Sequence, residues 1–375
     1  MRILHVTDCF LPRLGGLETQ VHRLSAQQAA AGHRVAVLTA TGARPGHYGR
    51  SVEWDGEVPV FRVAARMPGG LPVHPNPIPH ARDLLHRFRP DVVHLHIGGI
   101  TPSTQAVAAL LARKRWPAVV TVHSVWRDAT VRAYRLLNRL TGWAHWPLHF
   151  TAVSQLAASR VRAAGGGREV AVLRNGVDVE EWRTAAVASS GEVVHVVSAG
   201  RFVPRKRMLP LLGVLERAEQ LAAPHAPLKV TVPGEGPELS FARAYVASHG
   251  MRNWMHLPGR VDHDELVRLY RSADVYVAPG VDDAFSVAVQ EAQAAGLAIV
   301  SRSQSGAAEL LTDGVHGLLA DDDEGLAQAV ARLITDRRLL ERITAHNRSV
   351  PPQTEWSQVL PQTLQAYARA QQIAS

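Results

Sequence analysis

Short runs of β-branched and aliphatic residues alternate with longer helical patterns along the first half of the chain. Residues 2–7 (RILHVT) predict a first strand, residues 17–31 a helix after a glycine-containing loop, and residues 34–39 (RVAVLT) the next strand. Further strands are predicted at 60–63, 92–96, 119–123 and 149–153, with helical segments between several of them. This alternation indicates a parallel sheet with right-handed crossovers.

The same alternation restarts after a polar, small-residue stretch at 184–191, which predicts an interdomain linker. Strands are then predicted at 193–199, 228–233, 255–257, 275–278 and 298–301, and helices at 209–222, 238–249, 264–272, 287–295 and 325–334. A final helix at 356–372 follows the Pro351-Pro352 break and is expected to pack back on the first domain. The sequence thus predicts an α/β protein of two Rossmann-like, doubly wound parallel-sheet domains, 1–185 and 186–355, that face a central cleft.

Chain length and composition agree with a two-domain globular protein. The 375 residues are too many for one compact core, and 46% hydrophobic with 20% charged residues is typical of folded chains. No run of 18 apolar residues predicts a spanning helix, and the N-terminus does not have the apolar core and cleavage site of a secretory signal. The single cysteine, Cys9, excludes a disulfide framework and a cysteine-based zinc site, so a cytoplasmic location is expected.

The net charge of +8 first suggests a nucleic-acid partner. However, the basic excess lies in one half only: residues 1–185 carry 23 Lys and Arg against 12 Asp and Glu, whereas residues 186–375 carry 18 against 21. No recognition motif and no basic strand set lined with aromatic residues accompanies this charge. We therefore expect no nucleic-acid partner, and we expect the anionic partner of the basic half to be of another kind.

The segment Gly15-Gly16-Leu17-Glu18 lies between the first predicted strand and its helix. Two glycines allow a ligand to approach the backbone closely, and the free N–H groups of a helix N-terminus attract an anion. The segment is not a GxGxxG fingerprint, and no acidic residue ends the second strand, which argues against a nicotinamide cofactor and a dehydrogenase. A tight turn without a ligand is the alternative interpretation.

In the second half, cations follow a predicted strand. Gly200-Arg201 closes that strand, and Lys206 lies five residues further on, just before a helix. Two cations at such a place suit a diphosphate, although Arg and Lys after a strand are usually solvated. Gly234 and Gly236 form another loop that would permit close approach of a ligand.

The segment 283–309 carries two carboxylates at a spacing that suits a sugar nucleotide. Asp283 is predicted in a loop and Glu291 on the helix that follows, with Phe285-Ser286 between them. Carboxylates accept hydrogen bonds from sugar or ribose hydroxyls, and the N–H groups at the helix start would face a phosphate. Residues 305–309 (SGAAE) are predicted to open the next helix as a further turn that faces an anion.

In this order and at these spacings, the chain resembles the family 4 glycosyltransferases, which have the GT-B fold. The resemblance covers nearly the whole chain. The segments that carry it are LPRLGGLETQVHRLSAQQAAAGHRVAVLT, VVTVHS, TAVS, RNGVDVEEW, SAGRFVPRKR, VPGEGPE, LPGRVDHDELVRLYRSADVYVAPG, DAFSVAVQEAQAAGLAIV and SGAAELLTDGVHGLL.

The resemblance implies a retaining enzyme that moves a sugar from a UDP- or GDP-linked donor to the hydroxyl of a sugar, lipid-linked or small-molecule acceptor. Cell-envelope glycolipid or polysaccharide synthesis and natural-product glycoside synthesis are both compatible with it. It implies no cofactor beyond this nucleotide-diphospho-sugar co-substrate and no metal, because cationic side chains and helix N-termini stabilise the departing diphosphate.

The resemblance also implies roles for individual residues. Arg201 and Lys206 would grip the diphosphate, Glu291 would match the second Glu of the family's E-x7-E motif and hold the ribose, and Asp283 would touch the donor sugar. His123 would line the sugar and acceptor pocket. The further donor-side residues are Gly15, Gly16, Gly200, Gly234, Gly236, Arg260, Val261, Phe285 and Ser286, and the acceptor-side residues are Glu18, His96 and Asn175.

Two residues depart from the family pattern. Asp283 stands where the family usually has Glu, and Ser286 stands where it usually has Gly. The shorter carboxylate requires the sugar to sit deeper or to be bridged by water. Serine is expected to fit only if the backbone at position 286 avoids a positive φ. Both departures bear on the identity of the donor sugar.

The histidines and one aspartate run invite a metal site. We expect His94 and His96, which alternate along one predicted strand, to point to opposite faces, which argues against a shared ion. His94 is expected to be a core residue with its polar atoms satisfied, whereas His96 is a candidate for the cleft lining. Residues 321–323 (DDD) resemble the aspartate pattern of metal-dependent transferases, but helix capping is the better interpretation.

Residues 128–147 place Arg132, Arg135 and Arg139 at helical spacing beside leucine and tryptophan residues. A basic amphipathic helix of this kind can lie on an anionic membrane, so peripheral contact with the inner face of a membrane is one expectation. The alternative is that its apolar stripe packs within the first domain.

A second enzyme hypothesis keeps the fold and changes the reaction to that of an epimerase or phosphorylase. Such an enzyme differs from a transferase in whether the release of nucleotide diphosphate depends on an acceptor.

Overall fold

The computed structural model describes residues 1–13, 15–183, 193–222 and 227–375, and it divides the chain into two compact units. Unit 1 comprises residues 1–176 and 356–375, and unit 2 comprises residues 177–355. The division at Gly176 precedes the expected boundary at residue 185. The expected linker, 184–191, lies outside the described residues.

The strands and helices follow one another along the chain in alternation. The strands are β1 (Arg2–Thr7), β2 (Arg34–Thr39), β3 (Gly49–Asp55), β4 (Val58–Ala64), β5 (Val92–Ile97), β6 (Ala118–Val122), β7 (His149–Ala152), β8 (Ala171–Val172), β9 (Val194–Val197), β10 (Leu228–Pro233), β11 (Met255–Gly259), β12 (Val275–Ala278), β13 (Ala298–Arg302) and β14 (Gly317–Ala320). The helices are α1 (Gly16–Ala30), α2 (Ile78–Phe88), α3 (Pro102–Lys114), α4 (Asp128–Thr141), α5 (Gln155–Ala164), α6 (Val179–Trp182), α7 (Met208–Ala222), α8 (Leu239–Ser248), α9 (His263–Arg271), α10 (Val287–Ala294), α11 (Asp323–Thr335), α12 (Arg337–Ser349) and α13 (Trp356–Ala374).

Unit 1 is built on an eight-stranded sheet of order β3-β4-β2-β1-β5-β6-β7-β8. Its strands are parallel except for β3, which pairs antiparallel with β4 at the edge. The central strands are buried on both faces, as expected where helices cover a parallel sheet. The C-terminal helix α13 belongs to this unit, and its fully buried Tyr367 packs with Ile3, Val92 and Val119 in the core.

Unit 2 is built on a six-stranded parallel sheet of order β11-β10-β9-β12-β13-β14. The strand order reverses between β9 and β12, and in open α/β sheets ligands bind outside the carboxyl ends of the strands at such a switch point. The loops that follow β9, β10 and β12 carry the residues that the sequence assigned to a donor. The fold therefore brings these loops to one edge of one sheet.

Several elements differ from the sequence-based expectation. The strands β3, β8 and β14 and the helices α6 and α12 were not predicted. Helix α12 begins at an Asp336 cap that accepts the Leu339 N–H. Residues 305–309 do not open an α-helix and form only a 3₁₀ turn at Ala308–Leu310. The reason is that Gly306 donates its N–H to the Asp283 carbonyl at 2.8 Å, which ties this segment to the loop after β12.

Candidate active site

Two glycine loops of unit 2 pack backbone against backbone. A Cβ atom at Gly234 would overlap the carbonyl oxygen of Gly200, and one at Gly236 would overlap that of Phe202. The Phe202 N–H donates to the Glu235 carbonyl at 2.8 Å, which holds the loops after β9 and β10 together. The glycines that the sequence assigned to the close approach of a ligand are therefore already required by the packing of the loops.

Lys206 and Asp283 form an ion pair in unit 2. The Lys206 Nζ donates to Asp283 Oδ1 at 2.6 Å, and the Asp283 side chain is only 10% exposed. A Cβ atom at Gly280 would crowd this carboxylate, and one at Gly306 would overlap the Ala284 carbonyl, so both glycines shape the loop that carries Asp283. No local pattern in the sequence predicts this pairing, because 77 residues separate the partners.

Asp283 and Glu291 act on a common neighbour. Burial is the main cause of the raised pKa of Tyr276, and both carboxylates raise it further through their charge. The Tyr276 hydroxyl donates to the Ala199 carbonyl at 3.2 Å, which links β12 to the loop after β9. Both predicted carboxylates therefore act electrostatically on a buried tyrosine that sequence reasoning did not identify.

The backbone at Ser286 contradicts the expectation that a serine here would avoid a positive φ. Ser286 has φ 56° and ψ 85°, in the left-handed region that favours glycine, and it immediately precedes α10. The family's usual glycine at this place has no Cβ penalty, so the serine is a strained substitution. The neighbouring Phe285 is buried within the unit and is 4% exposed.

The remaining donor-side residues of unit 2 lie closer to solvent. Arg201 is exposed, and Arg260 is exposed and stands 3.9 Å from the Glu235 carboxylate. Val261 is half-buried. The Gly259 carbonyl, which directly precedes Arg260 and Val261, accepts the Gly234 N–H at 2.8 Å.

In unit 1, the Gly15-Gly16 turn leads directly into α1. A Cβ atom at Gly15 would overlap the Glu18 carboxylate, which also lies 3.6 Å from the Arg13 guanidinium. Glu18 is in the first turn of α1, where a negative charge is favourable. A phosphate at this helix start would therefore meet a carboxylate that already lies over Gly15.

The expectation that His94 and His96 point to opposite faces is wrong. Residues two apart on a strand share a face, because side chains alternate with a period of two. The ring centroids of His94 and His96 are 4.1 Å apart, and His5 from the neighbouring strand joins them. Among the described residues, His5, His94 and His96 form the group whose ligand atoms are close enough together to hold a metal ion.

The predicted environments of these two histidines have different outcomes. His94 is a satisfied core residue: Nδ1 pairs with the Tyr367 hydroxyl at 2.9 Å and Nε2 with Thr121 Oγ1 at 2.7 Å. His96 is fully buried, so it does not line a cleft directly. It instead lies behind His123, with His96 Nδ1 3.0 Å from His123 Nε2.

His123 lies just beyond the end of β6 and is half-buried. Burial lowers its pKa to about 4, and the nearby buried Asn175 side chain partly opposes this. The His123 imidazole is therefore neutral at pH 7 and can act there as a hydrogen-bond donor or acceptor but not as a cation.

The structure decides two further alternatives. Asp322 caps α11 by accepting the Gly325 N–H at 2.7 Å, so the capping interpretation of residues 321–323 is confirmed.

Helix α4 buries Val131 and Tyr134, but Leu136 and Leu140 are 57% and 76% exposed. The apolar stripe therefore packs within the first domain in part, through Val131, Tyr134 and Trp143, whereas Leu136 and Leu140 do not take part in that packing. No helix of the described chain is long and apolar enough to cross a membrane.

Comparisons with known proteins account for both units. The family model "Glycosyltransferase Family 4" matches residues 14–181, and the model "Glycosyl transferases group 1" matches residues 180–350. The chain is 28% identical to a GDP-mannose-dependent alpha-mannosyltransferase of Corynebacterium glutamicum, over 98% of this chain and 89% of that protein. A phosphatidyl-myo-inositol mannosyltransferase of Mycobacterium tuberculosis is 28% identical, over 94% and 93%. A glycogen synthase of the same organism is 27% identical, over 99% and 95%.

Solved structures of glycosyltransferases share the fold. Anabaena HepE in complex with UDP and glucose superposes with a TM-score of 0.74 at 17% identity, over 98% of this chain and 99% of that chain. The sucrose-phosphate synthase of Thermosynechococcus elongatus superposes with a TM-score of 0.76 at 16% identity, over 98% of both chains. The expected GT-B fold is thereby confirmed. Two glycosyltransferase family models together match residues 14–350, and the chain is a hexosyltransferase-type glycosyltransferase of the family 4 type.

Proposed function

We propose that this glycosyltransferase moves a hexose, with retention of configuration, from a UDP- or GDP-linked donor to the hydroxyl of a membrane glycolipid acceptor. The observation that carries the proposal is the Lys206–Asp283 ion pair at the switch point of unit 2, followed along the chain by the buried Glu291 on α10. A cation and two carboxylates of this kind match the three parts of a sugar nucleotide: diphosphate, sugar and ribose. The relatives named for GDP-mannose and phosphatidylinositol support this class of donor and acceptor.

Lys206 has the central role in donor binding. A diphosphate carries more negative charge than one carboxylate, so it competes with Asp283 for the Lys206 ammonium. Once Lys206 has turned to the phosphates, both Asp283 oxygens are free to accept hydrogen bonds from the donor sugar. The ion pair of the ligand-free protein thus keeps the two groups in place until the donor arrives.

The same cations assist the transfer step. As the bond between the sugar and the β-phosphate breaks, negative charge accumulates on the departing diphosphate, and Lys206 and Arg201 stabilise that charge. Glu291 holds the ribose, which fixes the nucleotide while the sugar is transferred. The acceptor oxygen forms the new bond to the anomeric carbon on the face from which the phosphate departs, and its proton passes to the departing phosphate oxygen. This scheme requires no metal, because the two side chains supply the positive charge.

The exposed face of α4 favours an acceptor in an anionic membrane. Leu136 and Leu140 project into solvent, and Arg132, Arg135 and Arg139 are exposed on the same helix. The segment 129–147 contains no Asp or Glu, so its charge is complementary to anionic headgroups. Two leucines flanked by arginines are the composition with which an amphipathic helix lies in the membrane interface.

Vesicle binding tests this part of the proposal. We expect the protein to co-sediment with phosphatidylglycerol vesicles at low salt and the double variant Leu136→Ser/Leu140→Ser to bind at least about tenfold more weakly. Leu221→Ser is the matched control, because Leu221 is an exposed leucine on α7 of the other unit. Equal binding of the double variant and the control would contradict membrane docking through α4.

A thermal-shift screen against UDP- and GDP-linked sugars tests the donor. A ligand that binds only the native state raises its stability by RT ln(1 + [L]/Kd), so the correct donor raises the melting temperature most. The anomeric configuration of the product, read by NMR, then tests retention. Release of nucleotide diphosphate only in the presence of acceptor identifies a transferase, whereas sugar conversion without acceptor would instead identify the epimerase alternative.

A further inference from the structure

A continuous chain of hydrogen-bonded side chains crosses the core of unit 1 and ends at His123. Gln28 Oε1 lies 2.7 Å from His5 Nε2, and His5 Nδ1 lies 2.9 Å from His96 Nε2. The chain continues from His96 Nδ1 to His123 Nε2 at 3.0 Å. Three imidazoles thus lie in series, and the last of them, His123, is the residue assigned to the sugar and acceptor pocket.

The amide end of this chain is held by a second set of hydrogen bonds. Gln28 Nε2 donates to the Tyr367 hydroxyl at 2.7 Å. The Tyr367 hydroxyl can then donate to His94 Nδ1, and His94 Nε2 donates to Thr121 Oγ1. With the amide nitrogen so engaged, the Gln28 carbonyl faces His5 and accepts its Nε2–H.

The orientation of the Gln28 amide fixes the donor and the acceptor of every hydrogen bond along the series, from His5 to His123. If His5 donates through Nε2, its Nδ1 accepts from His96 Nε2–H, and His96 Nδ1 accepts from His123 Nε2–H. His123 Nδ1 is then a lone pair. Asn175 lies near enough to the ring to raise its pKa, but no described group meets hydrogen-bond geometry at this buried nitrogen. The reverse direction would leave a buried N–H there without a partner, which costs more than a bare acceptor.

Neutral rings are a condition for such a series. Burial lowers the pKa of His5 to about 4 and holds those of His94 and His96 well below 6.5. Each ring at pH 7 therefore carries one proton, and one nitrogen of each is an acceptor. A ring with one proton transmits the direction of the hydrogen bond from one neighbour to the next.

A metal ion is the competing use of the same residues. The ligand atoms of His5, His94 and His96 lie within 4.8 Å of one another. However, the nitrogens with which His5 and His96 face each other are already joined by a 2.9 Å hydrogen bond, and both nitrogens of His94 are bonded to Tyr367 and Thr121. An ion would have to replace these bonds in a cluster that is at most 1% exposed.

We propose that Gln28, His5 and His96 are positioning residues for the transfer reaction, which hold His123 as its Nε2–H tautomer and leave Nδ1 as a hydrogen-bond acceptor for a substrate hydroxyl. The inference rests on the proposed function only in its catalytic consequence. A substrate hydroxyl at Nδ1 meets a lone pair and is oriented with its proton toward His123. The tautomer itself is a property of the ligand-free protein.

Paired substitutions on β5 separate this role from a purely structural one. His96→Leu removes the link to His123, and Leu95→Ala removes an equally buried side chain of the same strand that points to the other face of the sheet and is outside both sets of hydrogen bonds. We expect His96→Leu to lower kcat at least about tenfold with little change in donor KM, and Leu95→Ala to keep kcat within about twofold. Equal losses in the two variants would overturn the proposal.

Ring nitrogen NMR on protein with ¹⁵N-labelled histidine gives a readout that needs no turnover. We expect His123, assigned by its disappearance in His123→Gln, to carry its proton on Nε2 in the wild-type protein and to become a tautomer mixture in His96→Leu. Gln28→Met is the second variant if His96→Leu does not fold, and it should mix the tautomers in the same way. A proton on Nδ1 in the wild type would overturn the proposal.

Zinc titration followed by the same spectra covers the competing metal site. We expect no stoichiometric change in the His5, His94 and His96 signals, and saturable binding of one zinc ion at these rings would overturn the series. If the wild-type protein transfers no sugar from any donor, the proposed function fails, whereas the tautomer spectra still decide the hydrogen-bond series. The two failures are therefore distinguishable.

Discussion

Acidification should destabilise unit 1 through its buried histidines, and His5 allows the size of the effect to be worked out. His5 is fully buried on β1, where it faces His94 and His96 from β5 and Gln28 from α1. Burial lowers its pKa to about 4, and the hydrogen bond with Gln28 partly opposes this. In the unfolded chain the same ring has a pKa of about 6.5.

The sign of the effect follows from which state binds the proton. Between pH 6.5 and pH 4 the unfolded chain protonates at His5 and the native protein does not, so the free energy of unfolding falls as the pH falls through this window. For a pKa that shifts from about 6.5 to about 4, the loss between pH 7.5 and pH 5 is about 2 kcal/mol for His5 alone. His94 and His96 act in the same direction, because their pKa values are lowered well below 6.5.

Urea unfolding of unit 1, followed in the full chain at pH 7.5 and pH 5 for the wild type and His5→Gln, measures this contribution. The difference in unfolding free energy between the two pH values should shrink by about 2 kcal/mol in His5→Gln, whatever the variant costs at pH 7.5. His145→Gln is the control, because His145 is exposed after α4 and should leave the difference unchanged. The same pH difference in the wild type and His5→Gln would refute the buried, neutral state of His5.

Further predictions concern the backbone of unit 2. Ser286→Gly should keep the melting temperature or raise it by a few degrees. Relief of the positive φ, about 1 kcal/mol, is partly offset by the greater freedom of glycine in the unfolded chain. A clear loss of melting temperature in differential scanning calorimetry would contradict the strain. Gly306→Ala should lower stability by more than about 2 kcal/mol and weaken UDP or GDP binding, since its Cβ would overlap the Ala284 carbonyl. Gly213 lies in the interior of α7, and a Cβ atom there would lie 3.6 Å from its nearest neighbour, so Gly213→Ala should be neutral or stabilising by up to about 1 kcal/mol. Equal losses of stability in the two alanine variants would show that the clash at Gly306 is absent.

The central strands of both sheets could be predicted from the sequence because they are buried on both faces. β1, β2 and β10 read as short, mostly apolar runs, and their predicted bounds agree with the structure. The edge strand β3 (GRSVEWD) could not be predicted in this way, since its residues are mostly exposed and mix charged with apolar side chains. Its position depends on pairing with β4, which the local sequence does not encode.

The candidate site was predictable as a set of residue types but not as a set of contacts. Lys206, Asp283 and Glu291 stand out by chemistry and spacing, whereas the ion pair between the first two depends on β9 and β12 being neighbours in the sheet. The histidine series was within reach of the sequence. His94 and His96, two residues apart on a strand, had to share a face, and the application of that rule would have placed them together.

Isothermal titration of UDP and GDP into the wild type, Lys206→Ala and Arg205→Ala is the decisive test of donor binding at unit 2. Arg205 is an exposed cation next to Lys206 for which the structure assigns no role in the site. We predict that one of the two diphosphates saturates one site per chain in the wild type and in Arg205→Ala. Lys206→Ala should weaken this binding at least about tenfold, since a hydrogen bond to a charged group contributes about 1.5–3 kcal/mol. Binding of neither diphosphate to the wild type, or unchanged affinity in Lys206→Ala, would contradict the assignment of Lys206 to the donor diphosphate.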